Sequence, residues 1–126
     1  MQWNLDKNKP LCPQIGEQLC LRIAVGEFGA GERLLSVREV ALAAGVNPNT
    51  VQRAFETLEQ QGILFSVRGS GWYVAEDISP ARATLQRLRE EKMAAFLEEM
   101  AALGMSVSEV RQFVAAWSPE EKEAEE

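Results

Sequence analysis

The chain has no histidine, and only two of its 126 residues are cysteine. Without imidazole, Ser-His-Asp and Cys-His catalysis and the usual zinc hydrolase ligand sets are excluded. Cys12 and Cys20 lie eight apart, and two thiols with no histidine do not complete a four-ligand metal site. Both are expected to be reduced, Cys20 as a small core residue on a helix. Glu pairs occur, but in helical, solvent-facing contexts, so neither an enzyme nor a cofactor is expected. No stretch approaches the roughly 18–20 unbroken apolar residues of a membrane span. The start "MQWNLDKNKP" lacks the charged head and apolar middle of a secretory signal, so a cytoplasmic product without a membrane partner is expected. Internal repeats are absent too.

What is present is a folded composition with a lopsided charge. An apolar share of 46% suffices for a core, in one domain or in a small domain with an appendage. The net charge is −6, yet residues 1–75 hold seven Lys/Arg against seven Asp/Glu. The whole acidic excess therefore lies in residues 76–126, which marks two functional regions.

Along the chain, "PQIGEQLCLRIAVG" predicts a first helix over residues 13–26, with Pro13 in its first turn and Gly26 at its end. Ile15, Leu19 and Ile23 form its buried stripe, leaving Glu17, Gln18 and Arg22 to face water. A connector with Gly26, Gly29 and Gly31 follows. Ser36-Val37-Arg38-Glu39 fits a capping box, with Leu35 and Val40 placed to form the hydrophobic staple, and Gly45 ends this short second helix. Asn47 as cap and Pro48 in the first helical position open a third, whose apolar face is Val51, Ala54, Phe55 and Leu58. Beyond Gly62, "ILFSV" and "WYVA" around "RGSG" predict a hairpin. This order is a winged helix-turn-helix: mainly α with a small β-hairpin. A long helix from Ser79-Pro80 to Leu103 follows, with Leu85, Leu88, Phe96, Met100 and Leu103 as an apolar stripe interrupted at Lys92. Ser106-Val107-Ser108-Glu109 is a second capping box, opening a helix whose face is Val110, Phe113, Val114 and Trp117. The two form an antiparallel C-terminal appendage. The expected division is residues 1–76, winged domain; 77–118, helical region; 119–126, an acidic, disordered tail.

The third predicted helix carries Glu56 and Glu59 in its second half and no acid in its first. A polyanion explains that sorting. B-DNA presents a negative backbone and a major groove that admits an α-helix, and a helix N-terminus offers free N–H groups and a positive dipole end. Asn49, Thr50 and Gln52 suit base edges, and Arg53 suits guanine or phosphate. Asn47 and Pro48 are explained by helix capping alone; Gln52 and Arg53 are not. Arg38, in the first turn of the second helix, stands where such motifs cross the phosphate backbone. Arg68, Gly69 and Ser70 form the wing tip, where glycine lets backbone approach phosphate and Arg68 can reach the minor groove.

The run "RLLSVREVALAAGVNPNTVQRAFETLEQQGILFSVRGSGWYV" resembles the DNA-binding domain of GntR-family bacterial transcription regulators, a likeness that extends over roughly residues 5–75. The resemblance implies a dimeric repressor or activator on short inverted repeats. It implicates Ser36, Arg38, Pro48, Asn49, Thr50, Gln52, Arg53, Arg68 and Gly69 in binding DNA. Two departures stand out: Leu35 replaces the usual Pro before the capping serine, and Gly71-Trp72-Tyr73-Val74 replaces Gly-Thr-Phe-Val. Trp72 is left between packing on the core and facing the DNA sugar edge. A helical pair in place of a large effector domain resembles the YtrA-like subfamily, in which such helices dimerise.

Two amphipathic helices cannot bury both stripes alone, so a homodimer is expected through Leu85, Leu88, Phe96, Met100, Leu103, Val110, Phe113, Val114 and Trp117. The expected function is a sequence-specific regulator, a repressor on an inverted-repeat operator with its third helix in the major groove, associated with the nucleoid when bound. A winged-helix module that meets an acidic protein is the alternative. An unidentified small-molecule effector is left open.

Overall fold

A computed structural model of the chain describes residues 2–119. Its elements are α1 (Leu11–Ala24), α2 (Val37–Ala44), α3 (Pro48–Gln60), β1 (Leu64–Val67), β2 (Gly71–Val74), α4 (Ser79–Ala102) and α5 (Val107–Ala116). This is the mainly helical, winged helix-turn-helix order expected, followed by C-terminal helices. The expected acidic tail lies, from Glu120 onward, outside the described residues. The chain divides into two compact units, Met1–Arg87 and Leu88–Glu126.

In the first unit the apolar spacings do what the sequence predicts. Ile15, Leu19 and Ile23 of α1 and Val51, Ala54, Phe55 and Leu58 of α3 are buried in one core with Val40, Leu34, Ile63, Leu64 and Val74. Cys20 belongs to it as well, its thiol donating to the Ala81 carbonyl at 3.2 Å. Burial pushes that thiol's pKa up, against smaller opposing pulls from Arg87 and the Leu85 backbone, which suits an inert core residue. Ala81 and Leu85, from the first turns of α4, close the same core.

Arg22 corrects the expectation that it faces water. Its side chain is only 15% exposed and pairs with Glu27 at 3.1 Å. Trp3 lies under the guanidinium at 4.8 Å, and the Gln2 carbonyl accepts from Nη2. Gln18 donates to the Asn4 carbonyl at 2.7 Å, so the N-terminal arm runs along the face of α1 read as solvated. A sequence pattern that counts α1 in isolation cannot see a covering segment.

The hairpin pairs Leu64 with Val74 and Val67 with Gly71. The connector before α2 adds a short third segment that the sequence reading did not find. Arg33 bridges Tyr73, Leu34 N–H donates to the Trp72 carbonyl at 2.8 Å, and Val74 N–H donates to Glu32 at 2.9 Å. Glycines and charges at 26–33 hide it, because nothing there alternates as a strand should.

In the second unit the last turn of α4 gives way at Gly104, whose φ of 85° suits glycine, and Ser106 then caps α5. The capping box is complete: Glu109 N–H donates to Ser106 Oγ at 3.1 Å, and Ser106 N–H donates to the Glu109 carboxylate at 2.8 Å. Val110 is buried, while Phe96, Leu103, Phe113, Val114 and Trp117 are exposed.

Phe55 is fully buried and meets Trp72 edge-on at 5.4 Å. Phe55→Ala is expected to destabilise the first unit by about 3–5 kcal/mol, read as a lowered denaturant midpoint.

Candidate nucleic-acid interface

The proposed reading surface begins with the cap of α3. Asn47 Oδ1 accepts from Asn49 N–H at 2.7 Å, Pro48 occupies the first helical position, and no acid stands in the first turn. Because Val51, Ala54, Phe55 and Leu58 turn inward, helix geometry turns Asn49 and Arg53 outward, with Thr50 and Gln52 half-exposed at the edge.

The two acids behind this front are occupied. Gln52 Nε2 donates to Glu56 at 3.0 Å, so Glu56 orients the amide that the sequence assigns to a base edge. Glu59 accepts from both Ser66 N–H, at 3.2 Å, and Ser66 Oγ, at 3.0 Å. That carboxylate ties β1 to α3 and so fixes the wing against the helix. From sequence alone, a polyanion is the one cause offered for keeping these acids to the second half of the helix.

The wing tip is Arg68-Gly69-Ser70, between the paired residues Val67 and Gly71. Gly69 has a φ of 79° and open space around it, a conformation that other residues rarely adopt. Gln52, Arg68, Gly69 and Ser70 line a single open cleft with Ser66, Val67, Gly71 and Trp72. Of the two roles left open for Trp72, packing on the core is met by its contact with Phe55, and the residue also lines the cleft.

Ser36 and Arg38 stand at the start of α2. Ser36 Oγ accepts from Glu39 N–H at 3.0 Å, and the Glu39 carboxylate accepts from Ser36 N–H at 2.8 Å. Leu35, in place of the usual proline, leaves this box intact. Arg38 is exposed and shares a shallow depression with Pro48, Leu42 and Val46. No described residue forms an ion pair with Arg38, Arg53 or Arg68.

Two cations escaped the pattern reading. Lys7 Nζ donates to the Gly45 carbonyl at 3.0 Å, in the turn between α2 and α3. Arg33 Nη2 donates to the Ser70 carbonyl at 2.7 Å. These contacts span 38 and 37 residues, and no local motif announces them.

Of the nine residues expected at a dimer interface, Leu85 and Val110 are buried at 8% exposure, and Leu88 and Met100 are half-buried. Phe96, Leu103, Phe113, Val114 and Trp117 are exposed, as are Met93, Leu97 and Val107, which the stripe did not include. Among the described residues, no helix is long and apolar enough to cross a membrane, and no cluster of ligating side chains is placed to hold a metal.

The family model for bacterial regulatory proteins of the gntR family matches residues 11–74. The chain belongs to the GntR family. It is 34% identical over 110 residues to the HTH-type transcriptional regulator YhcF of Bacillus subtilis (strain 168), covering 87% of this chain and 91% of that one. It is 39% identical over 97 residues to the HTH-type transcriptional repressor YtrA of the same strain, covering 75% and 68%. Among solved structures it is similar to a GntR family transcriptional regulator from Listeria monocytogenes, with a TM-score of 0.80 and 34% identity over 90% of this chain and all of that one. The DNA-binding domain of AraR, solved with operator ORE1, matches with a TM-score of 0.52 and 28% identity over 60% of this chain and 94% of that one. This GntR-family chain is a DNA-binding transcription regulator and not an enzyme.

The Ser36 backbone N–H, and after it the Ser36 hydroxyl, hold the Glu39 carboxyl below the ordinary glutamate range, with a smaller pull from Arg33. A depressed folded-state pKa contributes stability that is complete above the unfolded value and lost as pH falls through the folded one. Glu109, lowered by Ser106 of its own cap, and Asp77, lowered by the Ser79 N–H and then its hydroxyl, follow the same sign. Glu39→Gln, which keeps an acceptor but no longer titrates, is expected to give a shallower fall of melting temperature between neutral and acid pH than the native chain shows.

Proposed function

We propose that the chain is a homodimeric, sequence-specific repressor that occupies an inverted-repeat operator, with α3 of each protomer in the major groove of one half-site. The observation that carries this reading is the uncovered, acid-free front of α3 beside a glycine-tipped wing. Base readout falls to Asn49, Thr50, Gln52 and Arg53. Ser36, Arg38, Pro48, Arg68, Gly69 and Ser70 anchor the sugar-phosphate backbone. Occupancy of operator DNA by AraR and the repressor role of YtrA support the same reading for this chain.

Residues 1–76 are assigned to DNA and 77–118 to dimerisation, the first turns of α4 also serving the core of the winged unit. The exposed Phe96, Leu103, Phe113, Val114 and Trp117 form more apolar surface than a lone helical pair keeps in water. A two-fold interface repeats one patch on both protomers, and two-fold protein symmetry matches a palindromic operator. A regulator of this kind works in the cytoplasm, on the nucleoid.

Gel-shift titration against a duplex recovered from a random pool by selection on the native chain tests the readout. Arg53→Ala is expected to cost about 1–3 kcal/mol on that duplex, with a smaller loss on random DNA. Equal losses on both would move Arg53 to phosphate, and a selection that enriches no sequence would favour a protein-binding module. Arg68→Ala is expected to weaken both duplexes alike and lower the salt slope by about one unit. In sedimentation at micromolar concentration the native chain is expected to run as a dimer and Phe113→Glu as a monomer; a monomeric native chain overturns the interface.

A further inference from the structure

Only three residues, 68–70, separate the last paired positions of the wing, Val67 and Gly71. A Cβ added at Gly69 would meet nothing within 4 Å, so the residue at the centre of the tip stands in open space. Within the hairpin the tip is held at Ser70 alone, by its N–H on the Val67 carbonyl and its hydroxyl against that of Tyr73, so order beyond that must come from outside. The only hydrogen bond to the tip from beyond the hairpin, among the described residues, comes from Arg33, whose Nη2 donates to the Ser70 carbonyl at 2.7 Å.

The surroundings make that contact a seat. The Arg33 backbone bridges Tyr73, so the side chain starts from a strand already fixed against β2. Tyr73 stacks on Phe65 at 5.6 Å, and its hydroxyl meets the Ser70 hydroxyl. A Cβ on Gly71 would stand 3.4 Å from Arg33 Nη2, and the φ there is +126°, so glycine lets the guanidinium lie against the wing backbone. One side chain therefore links the entry to α2 with the tip of the wing.

We propose that Arg33 is a positioning residue for DNA binding, holding the wing tip through the Ser70 carbonyl so that Arg68 and Gly69 meet the DNA already ordered. The proposal rests on the assignment of the wing to DNA made above. Arg33 acts through the tip and is itself no phosphate contact: its Nη2 donates to a carbonyl of the protein, whereas no described residue takes a donor of the Arg68 side chain. Ordering the tip before encounter removes a cost that binding would otherwise carry.

The test is a double-mutant cycle on the full chain with the selected duplex, using Arg33→Ala, Arg68→Ala and both together, with amide exchange at Gly69 and Ser70 measured without DNA. Arg33→Ala is expected to speed exchange at Ser70, whose N–H donates to the Val67 carbonyl at 2.9 Å. It is also expected to weaken binding by roughly three- to tenfold, while the double variant stays within about twofold of Arg68→Ala alone. Losses that multiply, with a lower salt slope for Arg33→Ala by itself, would make Arg33 a direct phosphate contact and overturn the proposal. Unchanged binding by Arg33→Ala beside a weakened Arg68→Ala would overturn it too, leaving the wing reading in place. Unchanged binding by Arg68→Ala would remove the wing reading, and this proposal with it. Arg33→Gln, which keeps much of the stem and a donor, replaces Arg33→Ala in the cycle if the truncated chain does not melt cooperatively.

Discussion

The reading surface of the winged unit depends on the contact between Phe55 and Trp72. Phe55 is fully buried, and Trp72 reaches it edge-on from β2 at 5.4 Å. An edge-on aromatic pair adds about 0.5–1.5 kcal/mol to what area burial supplies. Its geometric consequence is larger than its energy. With Phe55 turned inward, Val51, Ala54 and Leu58 must follow, and Asn49 and Arg53 have only solvent to face. With Trp72 seated on Phe55, the register of the hairpin and the direction of its tip follow as well. The composition of the polar face and its position beside the wing are thus set from the apolar side.

Much of this was legible because its causes are local. The capping boxes at Ser36 and Ser106, the Asn47-Pro48 start and the glycine stops at Gly45 and Gly104 each act within four or five residues. A short window therefore contains the whole interaction. The buried faces of α1 and α3 follow from spacing alone. What stayed hidden are contacts made across the chain: Arg22 under Trp3, Lys7 on the Gly45 carbonyl, Arg33 on the Ser70 carbonyl, and the strand-like segment beside β2. Each needs the fold before its partner exists nearby. Leu85 shows the same limit from another side. Its spacing places it on one stripe with Leu88 and Phe96, yet the first unit takes it into its own core.

Glu56 and Glu59 show how position in sequence and role in structure diverge. Read along α3, they are acids kept clear of a phosphate. In the fold, Glu59 fastens β1 through Ser66 and Glu56 holds the amide of Gln52. A helix whose rear half positions its wing and the Gln52 amide needs acceptors there, and carboxylates accept more strongly than neutral groups. The sorting of charge along α3 has two causes that point the same way, and the sequence displays only one.

The same accounting bears on how a chain of net charge −6 meets a polyanion. In the winged unit Asp6, Glu27, Glu32, Glu39, Glu56 and Glu59 each accept a hydrogen bond from a neighbouring N–H or guanidinium. Arg38, Arg53 and Arg68 have no ion pair among the described residues. Equal formal counts therefore conceal unequal availability: six of the seven acids of residues 1–75 hold a neighbouring donor, and these three cations hold no acid. At a Debye length of about 10 Å in 0.1 M salt, a phosphate responds to the groups beside it rather than to the sum over the chain. A local field of this kind gives binding that is steeply salt-dependent without demanding a basic protein. Acid elsewhere in the chain then discourages loose attachment to any duplex, and in the proposed function weight shifts to the side chains assigned to base readout at the front of α3.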